Sequence, residues 1–328
     1  MVIAFRLLAG LVCLGLLSAC VSSAMYSSRI EQEYPPIGDL LPFEARDQHV
    51  ISQGQGSPVL MIHGASANAR EYMISLAPHL EDEAVRLLMA DRPGHGHSQR
   101  IQNGYDLGRQ AAALRQITQQ QTDQPVILVG HSFGGAVALR YALDYPDAVR
   151  AVVLLAPVTH DWGGGGMAWY NSIAAIPGIG HVFSQFAPLV GPNTARNSLD
   201  SLFSPAEPPE NYADRMGVDL LFRPDAFRHN ARDMVRLRQQ LADQEKRYPD
   251  ELTTNVVIFS GSYDTVIKPK LHAARLRRDA PDRVVLVKLT DEGHMPHHGK
   301  SELVAQTILR LARGESVQET DFEKTDGY

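Results

Sequence analysis

Gly130-His131-Ser132-Phe133-Gly134 sets a serine between two glycines at the point where one sequence pattern gives way to another. Upstream, the apolar run Val126 to Val129 is too short for a helix and rich in β-branched residues, which is the pattern of a buried strand. Downstream, Ala136 to Ala142 contains good helix formers with one apolar face. A strand, a tight turn and a helix in that order hold the central serine in a strained backbone conformation, and only small residues fit beside it. That accounts for Gly130 and Gly134. The Ser132 hydroxyl then stands over the end of the strand, with the first amides of the helix aimed at whatever it attacks. The chemistry that this arrangement permits is nucleophilic catalysis by an activated serine.

The G-x-S-x-G pattern in this setting resembles the nucleophile turn of the α/β-hydrolase superfamily, and the resemblance runs from about Gln48 to about Arg313. It implies an α/β fold, a mostly parallel central sheet with helices on both faces and an inserted helical cap. It also implies an oxyanion donor upstream, then an acid, then a histidine. In the family the amide after a His-Gly pair at the end of an early strand is one oxyanion donor; after His63-Gly64 that residue is Ala65, and the second donor is Phe133, next to the nucleophile. His63 would shape this loop. The acid position matches Asp264, in the Gly-rich turn Ser260-Gly-Ser-Tyr-Asp264 after the strand Asn255 to Phe259. Asp161, after the preceding strand Ala151 to Ala156, stays open as a rival, because some members carry the acid there. The base position matches His294 in Asp291-Glu-Gly-His294, after the last strand, Arg283 to Leu289.

Asp91-Arg-Pro-Gly-His-Gly-His-Ser98 resembles the D-x-P-G-x-G-x-S loop of the same superfamily, with Asp91 and Arg92 able to pair and the glycines enforcing a tight path. His95 and His97 have the spacing of a chelate, but the surrounding acidic and third-histidine ligands of a dinuclear metal hydrolase are absent from this loop, and His297 and His298 belong to a single loop with too few ligands. The only cysteines, Cys13 and Cys20, lie near the N-terminus, so the body of the chain has neither a disulfide framework nor a cysteine-based zinc site. No metal and no cofactor is expected. A net charge of −6 gives no reason to expect nucleic acid or an anionic membrane as a binding partner.

The length of 328 residues allows one large α/β domain with an insertion. Arg6 followed by the apolar run Leu7 to Leu17 is too short for a comfortable membrane span, and Leu17-Ser-Ala-Cys20 resembles a bacterial lipobox. That resemblance implies an exported lipoprotein held at a bacterial membrane by lipid on Cys20, at the outer membrane or the periplasmic face. Residues 1–20 are then a lipoprotein-type signal peptide, and 21–45 a polar tether. The hydrolase core is expected over 46–157 and 248–313, with strands at Gln48–Ser52, Pro58–Ile62 and Val85–Ala90 and helices at Asp106–Gln121 and Ser301–Arg313. Between 158 and 247 the α/β rhythm stops. Gly163-Gly-Gly-Gly166, paired tryptophans and scattered prolines read as a cap over Ser132, with Asp225–Asp243 its clearest helix. The acidic residues 314–328 read as a solvated, disordered tail.

Ser132 as nucleophile argues against haloalkane and epoxide opening, which in this family use a carboxylate. The expected activity is that of a serine esterase or lipase-like enzyme cleaving a small-molecule carboxylic ester through an acyl-enzyme. A C–C bond hydrolase for vinylogous diketones, a cofactor-free perhydrolase and a non-enzymatic lipoprotein binding module are the alternatives.

Overall fold

The computed structural model describes residues 2–81 and 83–322. Eight strands form one sheet in the order β1-β2-β4-β3-β5-β6-β7-β8: β1 Asp39–Phe43, β2 Arg46–Gly54, β3 Ser57–Ile62, β4 Val85–Ala90, β5 Val126–His131, β6 Val149–Leu155, β7 Val256–Gly261 and β8 Val284–Leu289. The first two strands run antiparallel to their neighbours and the rest are parallel. This is an α/β-hydrolase fold, as expected. The inner strands are buried on both faces, so they read as unbroken apolar runs. Leu60, Ile62, Leu128, Val152 and Ile258 face one hydrophobic core, and Val59, Met61, Ile127, Val153 and Phe259 face the other.

The helices follow in chain order. Val2–Glu33 is α1, Arg70–Ser75 α2, Leu107–Gln121 α3 and Phe133–Asp144 α4. Between β6 and β7, in the segment expected as a cap, lie α5 Trp169–Ala174, α6 Ile179–Ser184, α7 Ala187–Asn197, α8 Leu199–Phe203, α9 Tyr212–Met216 and α10 Pro224–Gln244. After it come α11 Tyr248–Glu251, α12 Ala273–Asp279, α13 Pro296–Gly299 and α14 Ser301–Ala312. Asp106 caps α3 by accepting the Arg109 amide at 2.9 Å. The long cap helix spans the expected segment. It is pinned to the hydrolase core by Asp233, whose buried carboxylate accepts from Arg92 at 3.0 Å and Arg100 at 2.6 Å.

Two segments depart from expectation. Residues 21–45 are no free tether: the helix α1 continues to Glu33, and Asp39–Phe43 forms the edge strand. Tyr26 donates to Asp219 Oδ1 at 2.8 Å, and Ile30 and Tyr34 pack on Leu220, so tertiary burial overrides a polar composition. Within the expected tail 314–328, residues 314–322 lie against the core. Glu319 pairs with Arg277 at 2.7 Å, and Phe322 meets the Phe259 ring edge-on. Residues 323–328 lie outside the described residues. Cys13 and Cys20 are both exposed and free. No helix among the described residues is long and apolar enough to cross a membrane.

Candidate active site

Ser132 sits between β5 and α4 with φ 50° and ψ −115°, a conformation that costs a non-glycine residue about 1–3 kcal/mol. Its neighbours hold it there. The Ser132 amide donates to Leu155 O at 3.0 Å, and its carbonyl accepts from Gly135 and Val158, each at 3.0 Å. A Cβ on Gly134 would lie 2.0 Å from Ile62 O, and one on Gly130 would lie 2.6 Å from Gly134 O. Both glycines are therefore demanded by close approach of backbone.

Asp264 and His294 lie beyond the ends of β7 and β8. Asp264 Oδ1 accepts the amides of Val266 at 2.9 Å and Ile267 at 2.7 Å, and Oδ2 accepts from His294 Nδ1 at 2.9 Å. With Nδ1 donating, His294 Nε2 is the nitrogen left to take a proton. Ser132 and His294 face one cavity, and no direct hydrogen bond joins the serine hydroxyl to the ring among those described. Catalytic contacts of this kind often tighten only when substrate is bound. Asp161 is placed elsewhere: its carboxylate caps the Gly163 amide at 2.9 Å and pairs with Arg238 at 2.8 Å.

Ala65 and Phe133 line the same cavity as Ser132. Phe133 opens α4, so its amide has no intrahelical acceptor. The Ala65 amide is oriented through its peptide partner. Gly64 O is held by His63 Nδ1 at 2.8 Å and Arg92 Nη2 at 3.1 Å, which turns the N–H of the same trans peptide the opposite way. On the next residue, Ser66 at φ 60°, the amide donates to Asn230 Oδ1 of α10 at 2.9 Å.

Arg92 was legible as part of a motif but not in this role. It is fully buried, donates to the His63 and Gly64 carbonyls, and lies over the Phe133 ring at 4.2 Å. The expected Asp91–Arg92 pair does not form. Asp91 instead accepts from His49 at 2.7 Å, Ala69 N at 2.7 Å and His97 N at 2.8 Å, while Arg92 pairs with Asp233 from the cap. A loop folded back on itself serves carboxylate and guanidinium better through separate partners. His63 shapes the loop as expected. Burial and then the Arg92 charge push its pKa down to about 3, so it stays neutral while its Nε2 accepts the Arg92 amide at 3.0 Å.

Glu71, on α2, is a site residue that no sequence signal marked. It is buried and lines the cavity, and its carboxylate accepts from His297 at 3.1 Å, His298 at 2.5 Å and the Tyr212 hydroxyl of the cap. Glu71, His297 and His298 have the ligand types of a metal centre. Ligands about 2.0–2.1 Å from a tetrahedral ion stand about 3.3 Å apart, farther than these pairs, so the contacts are direct hydrogen bonds. The His131 ring packs between those of His294 at 4.9 Å and His297 at 4.4 Å, and its Nε2 meets His294 O at 3.0 Å. The cavity above these groups has a volume of about 1050 Å³ and is walled by cap residues such as Trp169, Tyr170, Phe183, Leu199, Leu202 and Phe227.

The sequence model of the alpha/beta hydrolase fold matches residues 57–301 of the 328. The chain belongs to the alpha/beta hydrolase fold family. Lipase LipV of Mycobacterium tuberculosis (strain ATCC 25618 / H37Rv) is 40% identical over 113 residues, 34% of this chain and 42% of the lipase. The 2-hydroxy-6-oxo-6-phenylhexa-2,4-dienoate hydrolase of Burkholderia cepacia is 30% identical over 143 residues, 42% of this chain and 48% of that hydrolase. The chain thus spans less than half the length of either relative in the matched segments. Among solved structures, the esterase EaEST from Exiguobacterium antarcticum superposes with a TM-score of 0.63 at 21% identity, covering 84% of this chain and 98% of the esterase. Epoxide hydrolase CorEH does so with a TM-score of 0.66 at 19% identity, covering 84% and 98%. At such identities these likenesses concern the fold alone.

Proposed function

We propose that this hydrolase cleaves carboxylic esters with Ser132 as nucleophile, His294 as general base and Asp264 as the group that orients it. The observation that carries the reading is the His294 Nδ1–Asp264 bond of 2.9 Å at the cavity that also holds the strained Ser132. Ser132 attacks the ester carbonyl and passes its proton to His294 Nε2. The amides of Ala65 and Phe133 receive the developing oxyanion, each contributing about 3 kcal/mol in the transition state. His294 returns the proton to the leaving alcohol, and water then releases the acid from the acyl-enzyme by the reverse sequence. The apolar wall of the cavity favours an ester with apolar arms. A fluorophosphonate probe with intact-mass detection tests the reading. One equivalent should add to the wild type and none to Ser132→Ala, with ester turnover abolished in that variant; equal labelling or turnover in both would refute it.

A second reading, hydrolysis of a C–C bond, has the dienoate hydrolase relative in its favour. Comparing a vinylogous diketone with 4-nitrophenyl esters on one preparation separates the two. We also propose that the protein is exported and lipid-anchored through Cys20, which follows Leu17-Ser-Ala and is exposed on α1. Metabolic labelling with an alkyne fatty acid should mark the wild type; equal marking of Cys20→Ser would refute the anchor.

A further inference from the structure

His272 lies between the acid loop and α12 and lines the cavity that holds Ser132 and His294. Its ring is held from behind. Nδ1 accepts the amides of Thr159 at 3.2 Å and His160 at 3.3 Å, both on the segment that leaves β6 for the cap. A ring nitrogen that accepts two N–H groups carries no proton, so the proton of the neutral imidazole is on Nε2. Burial is the first cause, the charges of His160 and Arg275 the next, of a pKa pushed down to about 4, and the ring stays neutral across the physiological range. The residue is only 3% exposed and lines the cavity, and Nε2 has no hydrogen-bond partner among the described residues. The Trp162 ring stands edge-on to it at 6.2 Å.

Such a ring cannot act as a base, since one nitrogen is occupied by amides and the other already bears its proton. It can only donate. The nearby carboxylate of Asp264 is committed to His294 and to the amides of Val266 and Ile267. The amides of Ala65 and Phe133 serve the reacting carbonyl under the mechanism above. The donor at His272 is thus left for another oxygen of the substrate, in a cavity whose cap wall is mostly apolar, with Thr194, Ser198 and Asn230 among its polar residues.

We propose that His272 is a substrate-binding and specificity-determining residue, and that the preferred substrate is an apolar ester bearing a second acceptor oxygen on the arm that lies along the acid loop. The proposal rests on the ester-hydrolase reading of the same cavity. A site with a buried N–H discriminates against a ligand that leaves it unpaired far more sharply than an apolar wall discriminates between chain lengths. Nothing chemical happens at His272; the bond is gained on binding and kept through both half-reactions.

The test is an oxygen scan. One series is 4-nitrophenyl octanoate with a single chain methylene replaced by an ether oxygen or a carbonyl at each position in turn. The other is octyl acetate with the same replacements along the alcohol. Wild type should favour one position over the all-carbon ester by at least about tenfold in kcat/KM. In His272→Phe that ratio should collapse to about one, whatever happens to the absolute rates, and His272→Gln, which keeps an N–H donor, should recover part of it. A wild type with no preferred position in either arm overturns the proposal, even if the phenylalanine variant does not fold. So does a variant that slows both kinds of ester alike and leaves the ratio unchanged. Failure of the underlying reading is seen separately, as no fluorophosphonate labelling and no turnover of any ester.

Discussion

Replacing Glu71 by leucine tests whether one buried carboxylate ties the cap to the catalytic loop. Glu71 is 1% exposed and is shared by Tyr212 on α9, His297 and His298. Leucine leaves no large void, so little cavity energy is involved, but three donors, two of them buried, lose their acceptor. Hydrogen bonds to a charged group are worth about 1.5–3 kcal/mol each. They share one desolvated carboxylate and do not add, so the expected loss is about 3–5 kcal/mol, the usual cost of removing one partner from a buried ionic contact. At about 2 °C per kcal/mol for a chain of this size, Tm should fall by about 6–10 °C at pH 7.

The same residue predicts how the gap depends on pH. Burial pushes the Glu71 carboxyl up, but the His298 charge and the His297 and His298 hydrogen bonds outweigh it and hold the group well below 4.5. A carboxylate with a depressed folded-state pKa contributes its full stability above the unfolded value and loses it as pH falls through the folded one. The gap between wild type and Glu71→Leu should therefore stay constant from pH 7 down to about 4.5 and close only below that. Calorimetry with urea midpoints across this range measures both. A Tm within 2 °C of wild type at pH 7 would show that the carboxylate is not the tie inferred here.

Gly134→Ala should abolish ester turnover and cost at least about 3 kcal/mol of stability, because its Cβ would lie 2.0 Å from Ile62 O and the sheet cannot give way; a folded, active variant in a urea titration would refute that. His63, His272 and His297 are each held neutral by burial, with pKa values pushed down from 6.5 to about 3, 4 and 4. The unfolded chain then binds these protons first, so wild-type stability should fall by up to about 4 kcal/mol per pH unit between roughly pH 6 and 4, and a flat profile over that window would contradict it.

The hydrolase core was legible because its signals are local. Val126 to Val129, Leu87 to Ala90 and Ile258 to Phe259 are strand segments buried on both faces, which the two-sided sheet makes uniformly apolar. The glycines at 130 and 134 announce the turn because the backbone contacts that exclude a Cβ there are part of the same motif. The ends of the body were not legible, for the converse reason. Tyr26, Ile30 and Phe322 are single apolar residues in polar company, and only their partners Asp219, Leu220 and Phe259 reveal that they are held.

By itself the sequence determined which residue types stand at the ends of the strands: Ser132, Asp264 and His294 follow three different strands, and the shared parallel direction of β5 to β8 puts all of them at the same end of the sheet. What only the tertiary structure decided is how these groups are held and what surrounds them. Arg92 finds Asp233 from the cap instead of its neighbour Asp91, Glu71 gathers donors from residues 212, 297 and 298, and His272 is turned by the amides of residues 159 and 160. Buried polar groups must find partners wherever the chain supplies them. Those partners are separated by tens or hundreds of residues, so no local pattern records the pairing.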